Sequence, residues 1–337
     1  MVSANLKLAA AIIVRDEAEL LARCLDSLRG VVDEIHVHDT GSTDGSPEVA
    51  MRAGACLTAG LWTDHFADAR NAALQGWTAD WVLSVDADER VTANAAELRD
   101  RLAGTDADAA TLEIDSDRQD SDVTFRAPRL FRPDRTVWAG RIHERIVARD
   151  GTLRLAALPR DVARIAHAGY ATAERREAKA LRNVLLGRVQ LDDLAADPVG
   201  NRDQIARTLL DLGRSCVVAG HKQDAVDTLE MLRELFPHTR ERLQGTDQLA
   251  QLMLAEGMDE VALVLVEDMR AAGAESSYCD WLAAQALAQL GDVDEAARRL
   301  NNVGRVVDTA GRRHGTAALT EMKMLVAELQ AKLTGVS

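Results

Sequence analysis

The sequence predicts two domains of different class: an α/β domain on a mostly parallel sheet flanked by helices, then an all-helical repeat domain. Three observations carry this reading. Short β-branched runs alternate with amphipathic segments as far as residue 170, and beyond Glu174 the pattern becomes wholly helical. In that second half the small residues Ala225, Ala262 and Ala296 recur at spacings of 37 and 34, each five residues after a glycine (Gly220, Gly257, Gly291).

The elements follow in order. Leu8 to Val14 is a continuous apolar run, which reads as a buried strand. Ala18 to Leu28 carries Leu20, Leu21, Leu25 and Leu28 at helical spacing. Glu34 to His38 is a short strand that closes on the turn Asp39-Thr40-Gly41-Ser42-Thr43-Asp44-Gly45. A short helix, a strand near Ala55 to Thr58, a helix over Asp64 to Gly76 and a strand at Trp81 to Val85 come next. That βαβαβ order calls for parallel strands with helices on both faces. Thr92 then reads as the cap of a helix running to Leu102. Strand-like runs at Ala109 to Asp115, Val123 to Leu130, Arg141 to Val147 and Val162 to Ala166 make the end of this domain more antiparallel.

In the helical half, the first unit carries Leu209, Leu212, Gly213, Cys216, Ala225, Leu229, Leu232 and Pro237. Those offsets resemble the tetratricopeptide (TPR) repeat, whose period is about 34 residues. Three stacked helix pairs form a short solenoid with a concave face. Asp197-Pro198 and Gly200-Asn201 mark residues 196–204 as the hinge, so the expected domains are 1–195 and 196–337.

Composition narrows the function. A chain of 337 residues with 47% hydrophobic and 28% charged residues is globular and long enough for two cores. A formal charge of −14 argues against nucleic acid as the main partner, which needs a basic face. No apolar stretch approaches the roughly 20 residues of a membrane span. The start shows no signal-peptide pattern. Cys24, Cys56, Cys216 and Cys279 are scattered with no C-x-x-C pair, as expected of reduced thiols in a cytoplasmic protein.

The chemistry concentrates at Trp81-Val82-Leu83-Ser84-Val85-Asp86-Ala87-Asp88, an apolar strand ending in two carboxylates one residue apart. Ligands of open α/β sheets bind at that carboxyl edge. Two repelling acids there suit a hard cation that shares its oxygen ligands with substrate phosphate. An acidic turn is the plainer explanation of the same residues. Neither G-x-G-x-x-G nor G-x-x-x-x-G-K-[ST] follows the first strand, and no G-x-S-x-G is present. A nucleotide would therefore be held by other means. Asp39 at the second strand end can accept from a base or a ribose hydroxyl, or serve its own turn, a role that Asp44 fits better.

Ile12-Ile13-Val14-Arg15-Asp16-Glu17, the Asp39 to Gly45 turn, Ala69-Arg70-Asn71 and Asp86-Ala87-Asp88-Glu89 occur in an order and at gaps that resemble a family 2 glycosyltransferase of GT-A fold. Arg129-Leu130-Phe131-Arg132, Gly140-Arg141-Ile142-His143-Glu144 and His167-Ala168-Gly169-Tyr170 extend the likeness over residues 6–195. They point to a bacterial branch holding lipopolysaccharide-core glucosyltransferases and TPR-tailed peptide S-glycosyltransferases. The resemblance implies a nucleotide-sugar donor, UDP-linked, and Mn²⁺ or Mg²⁺. It implies a donor site of Val14, Arg15, Glu17, Asp39, Arg70, Asp86 and Ala87. Within it Asp39 meets the base, Asp86 the ribose or the metal's water shell, and Arg70 a phosphate or Asp86. Asp88 and His167 are the implied metal ligands. Two departures are Thr40, where the family has a second acid, and Ala168, where it often has an aromatic residue.

Sugar transfer to an acceptor with inversion also needs a general base. Glu144 is the candidate, because a strand over Ile142 to Ile146 would place Ile142, Glu144 and Ile146 on one face; a structural ion pair with Arg141 or Arg145 competes evenly. Arg126, Arg129, Arg132 and Arg135 either steer an anionic substrate or form a solvated hairpin face. The acceptor is open among peptide or protein, glycan and small natural product. The repeats suit an acceptor peptide, a homodimer interface or a brace for the first domain. A reading of a different class is a TPR scaffold with an inactive transferase-like domain, against which Asp39, Arg70, Asp86 and Asp88 stand intact.

Overall fold

The computed structural model describes residues 6–76, 78–116, 124–167 and 173–334. The chain divides into two compact units, residues 1–170 and 171–337. The first runs β1 (Leu8–Val14), α1 (Ala18–Leu28), β2 (Glu34–Asp39), α2 (Ser46–Arg52), β3 (Cys56–Ala59), α3 (Phe66–Ala72), β4 (Trp81–Ser84), β5 (Glu89–Ala93), α4 (Ala95–Ala103) and β6 (Ala109–Ser116). It continues with β7 (Thr124–Phe131), β8 (Thr136–Ala139), β9 (Arg145–Ala148), β10 (Leu155–Ala157) and β11 (Ala163–His167).

The main sheet has the order β3-β2-β1-β4-β7-β6-β11-β5, with β10 also on β6, while β8 and β9 form a separate hairpin. β3, β2, β1 and β4 are parallel; β7 is antiparallel to β4 and β6, and β11 is parallel to β6. β1 lies in the middle of the parallel half and is almost wholly buried, which is why its sequence is unbroken apolar and not alternating. α1 covers the sheet with Leu21, Cys24, Leu25 and Leu28, one face of the helix at i, i+3, i+4 and i+7. Trp81, Leu8, Ile12 and Leu83 are buried in the same core.

Three local expectations change. Residues 89–93 form strand β5, paired antiparallel to β11, and the following helix is capped two residues later than expected by Asn94, whose side chain accepts the Glu97 N–H at 3.3 Å. Val91 is buried against the sheet, so tertiary burial overrides the helical start at Thr92. α3 is shorter than Asp64 to Gly76, because Asp64 is left-handed (φ 57°) and His65 caps the helix by accepting the Asp68 N–H. The strand expected over Arg141 to Val147 begins only at Arg145, since Gly140 (φ 105°) and His143 (φ 51°) bend the chain before it.

The second unit is eight helices among the described residues: α5 (Ala173–Leu194), α6 (Arg202–Val218), α7 (Lys222–Leu235), α8 (Arg240–Ala255), α9 (Asp259–Ala271), α10 (Ser276–Leu290), α11 (Val293–Asn301) and α12 (Thr316–Thr334). Gly220, Gly257 and Gly291 end α6, α8 and α10 in the left-handed region. At each, the next residue's N–H returns to the carbonyl five back: His221 to Cys216, Met258 to Met253 and Asp292 to Leu287, all at 2.9 Å. These are the bonds of a Schellman stop. Ala225, Ala262 and Ala296 then sit fully buried on α7, α9 and α11, so the recurring glycine–alanine spacing marks three equivalent helix pairs. The sequence puts a domain boundary at 195/196. In the structure α5 lies in the second unit, because Ala180 and Val184 join the helical core and Gln190 donates to Thr208 on α6.

Candidate active site

The carboxyl ends of β1, β2 and β4 open on one edge of the sheet, and the antiparallel β5 starts at that edge. Val14 pairs in register with Asp39. The Val14 carbonyl accepts both the N–H and the hydroxyl of Thr40 at 3.0 Å. A carboxylate at position 40 could not donate that second bond, which accounts for threonine there. The Asp39 carboxylate accepts the N–H groups of Gly41 and Ser42 at 3.1 Å, so Asp39 is buried and shapes its own turn.

The turn is stitched to the end of β1. Asp16, left-handed at φ 54°, donates its N–H to Ser42 Oγ and accepts the Thr43 N–H at 2.6 Å, which with the Thr43 hydroxyl holds its carboxyl below the usual range. Glu17 donates its N–H to Ser46 Oγ at 3.1 Å, and Asp44 accepts from Ala18 and Ser46. Arg15 stays exposed, 3.9 Å from Asp16.

Arg70 is the hub of the edge. It rises from α3 buried, donating through Nη2 to Asp86 at 2.8 Å, through Nε to Glu144 at 2.6 Å and through Nη1 to Ser84 at 3.0 Å. Its guanidinium also lies 4.9 Å over the Trp138 ring, where cation–π attraction adds to the pairing. Burial alone would lower its pKa, yet the Asp86 and Glu144 charges prevail and raise it.

The neighbouring Asn71 explains why Glu144 is there. Asn71 exchanges two hydrogen bonds with the Trp138 backbone, at 2.9 and 3.1 Å, while the Phe66 and Ala67 N–H groups at the start of α3 donate to the Arg141 and Gly140 carbonyls. The bend carrying Glu144 is thereby tied to the helix carrying Arg70. Glu144 is thus paired with Arg70, not with Arg141 or Arg145 as the sequence suggests, because the bend at His143 breaks the expected strand alternation.

On the other side of Asp86, Arg129 from β7 lies 3.5 Å from Asp86 Oδ2 and donates to Glu89 at 2.5 Å. Glu89 is 1% exposed. Burial, with the Asp86 charge, pushes its carboxyl up to about 7 against the pull of Arg129. Carboxylates and guanidiniums therefore alternate along the line Glu144, Arg70, Asp86, Arg129, Glu89. The other arginines of the expected cluster are committed elsewhere: Arg126 to the Thr111 and Leu158 carbonyls, Arg132 to those of Thr105 and Ala107 with its plane over Trp81, and Arg135 beside Asp108.

Ala87 is buried in the turn after Asp86, and Asp88 faces His167 at the end of β11, Oδ2 to Nε2 3.1 Å. The side chains are 30% and 38% exposed, so both donors are reachable from solvent. Among the described residues no group of three or more His, Cys, Asp or Glu could hold a metal ion. One carboxylate oxygen and one imidazole nitrogen fit a divalent cation that completes its shell with phosphate oxygens and water, and do not make an all-protein cage. Gly169 and Tyr170, which supported His167 in sequence, lie outside the described residues.

Ser84 and Trp138 are not singled out by sequence, Glu89 and Asn71 stand only as motif neighbours, and Arg129 is one of four arginines with no partner assigned. Glu89 has the signal of standing next to Asp88, and Asn71 of standing next to Arg70; the others depend on pairings between remote segments.

Fold and edge together define an α/β domain with an acidic, arginine-laced ligand edge, joined to a TPR-like helical unit. Residues 10–162, under half of the chain, match the family model Glycosyl transferase family 2, so the segment that builds this edge is similar to glycosyltransferases of that family. A TPR repeat-containing protein of Synechococcus elongatus is 48% identical over 122 residues, 36% of this chain and 30% of that protein. An uncharacterized glycosyltransferase of Rickettsia felis is 33% identical over 96 residues, 28% of this chain and 32% of its own. The matches thus span less than a third of either relative's length. Among solved structures, S. aureus TarS 1-349 is similar at 16% identity and a TM-score of 0.37, covering 88% of this chain and 90% of that one. Glucosyl-3-phosphoglycerate synthase from Mycobacterium tuberculosis, in complex with Mn²⁺, UDP and glucosyl-3-phosphoglycerate, is similar at 19% identity and a TM-score of 0.28, over 33% of this chain and 44% of that one. No helix among the described residues is long and apolar enough to cross a membrane.

Proposed function

We propose that this protein is a metal-dependent, inverting glycosyltransferase that moves a sugar from a UDP-sugar to an acceptor hydroxyl, thiol or amine. The observation that carries the reading is the meeting of Asp88, from the turn after β4, and His167, from the end of β11, at the carboxyl edge of the segment that matches the family 2 glycosyltransferase model. Asp88 and His167 would hold a divalent cation there, which would supply a positive charge beside the departing diphosphate.

The chain's own residues take the remaining roles. The turn after β2 and the end of β1, with Val14, Arg15, Glu17 and Asp39, border the nucleoside. Asp86 and Ala87 follow β4 and face the ribose side. Arg70 donates to Glu144 at 2.6 Å and so fixes the carboxylate in direction, as a base must be before the acceptor arrives. In the transfer the acceptor atom bonds to the anomeric carbon as the carbon–oxygen bond to phosphate breaks. The acceptor's proton passes to Glu144 and the electron pair leaves with UDP. The helical unit is assigned to the acceptor or to a second copy of the chain.

The test is UDP release from a panel of UDP-sugars with Mn²⁺, alongside nucleotide binding. A folded protein that neither binds nor turns over any donor sinks the proposal. UDP binding without turnover, with partner proteins captured through the helical unit, would favour the inactive-scaffold alternative.

A further inference from the structure

Glu89 closes the turn that carries Asp88. Its N–H donates to the Asp86 carbonyl at 2.9 Å, and its Oε2 accepts the Asp86 N–H at 2.9 Å, so both ends of the turn are locked by one residue. Glu89 also stands opposite His167 in the β5–β11 register. The two halves of the Asp88–His167 pair are therefore both referenced to Glu89, one through the turn and one through the sheet. That carboxylate is buried, and the cation at its other oxygen is Arg129, 2.5 Å away. A buried carboxylate deprived of its partner is costly and moves toward water. Here any such movement would unlock the turn and swing Asp88 from His167.

We propose that Arg129 is a positioning residue which, through Glu89, holds Asp88 against His167 and so sets the affinity for the divalent cation. This rests on the metal-dependent reading above. Groups that orient a metal's ligands from behind commonly contribute 10–100-fold to affinity, so a loss of about that size is expected for Arg129→Met. Arg129→Lys, which keeps a charge at Glu89 without the planar fork, falls between it and the wild type. In Arg129→Met/Glu89→Gln the buried charge is gone, while the amide oxygen still accepts the Asp86 N–H. That double variant recovers most of the loss.

The experiment is a Mn²⁺ titration followed by electron paramagnetic resonance on the full chain, with and without UDP, for the wild type and these variants, with thermal melts in parallel. A merely structural Arg129 would lower the melting temperature and leave the Mn²⁺ affinity of the folded protein unchanged. Wild-type affinity in folded Arg129→Met overturns the inference and leaves the functional reading standing. If Arg129→Met does not fold, wild-type affinity in Arg129→Lys, or a double variant with no more affinity than Arg129→Lys, overturns it instead. A wild type that binds no Mn²⁺ in either condition overturns both.

Discussion

Arg70 holds Glu144 at 2.6 Å and Asp86 at 2.8 Å with the same guanidinium, joining the candidate base to the candidate donor side. A glutamine at 144 can still accept from Arg70 Nε, so Glu144→Gln keeps that contact, with Asp86 as the remaining charge on Arg70, and removes the basicity. The expected result is unchanged UDP-sugar binding with transfer reduced by about 10²–10⁴-fold, measured as kcat against donor KM. Full turnover would move the base elsewhere and leave Glu144 as an ion-pair residue. Asp88→Ala gives the opposite split, losing Mn²⁺-dependent donor binding itself.

Much of this arrangement is legible in the sequence, and the illegible part has one cause. β1, α1 and the Trp81 strand are read nearly to the residue, because each is fixed by its own burial pattern. The Gly220–Ala225 repeat is equally plain, because a left-handed stop and a buried small residue recur at a fixed offset. β5 is missed because Thr92 looks like a helix cap until β11 pairs with it. Arg129–Glu89 and Arg70–Glu144 are likewise contacts between segments 40 and 74 residues apart, which no local spacing announces.

Gly213 on α6 has no room for a side chain. A Cβ there would stand 2.5 Å from Leu229 Cδ2 and 2.6 Å from its Cγ, and Leu229 is fully buried. Gly213→Ala is expected to destabilise the helical unit by about 1–3 kcal/mol through overpacking. Gly220→Ala meets open space but sits at φ 74°, so its cost is backbone strain of about 1 kcal/mol. Urea melts followed by helical circular dichroism should rank them in that order. The reverse order would mean that Leu229 repacks freely.

The four thiols should react as two classes. Cys24, Cys216 and Cys279 are buried and Cys56 is exposed. Burial pushes the Cys24 thiol up to about 12 and Cys279 up to about 11, leaving almost no thiolate at neutral pH. Ellman's reagent on the folded protein is expected to count one fast thiol, absent in Cys56→Ser, with the other three appearing only on unfolding. Rapid reaction of a second thiol in the native state would contradict the packing of α1, α6 or α10.

Acid should loosen the helical unit through Asp308, in the loop between α11 and α12. Burial by itself would raise its carboxyl; the nearby His314 and the Arg312 N–H and guanidinium overcome this and hold it down to about 2. An aspartate unfolds to a pKa of about 3.9, so the folded state is the weaker proton binder. The contribution is therefore complete above about pH 4 and disappears as the pH falls through 2, on the order of 2–3 kcal/mol. Asp308→Asn should lower the wild-type melting temperature at pH 6 and flatten its decline between pH 4 and 2. If both proteins decline in parallel over that interval, the acid sensitivity belongs to other carboxylates, and Asp308 is only a turn residue of its loop.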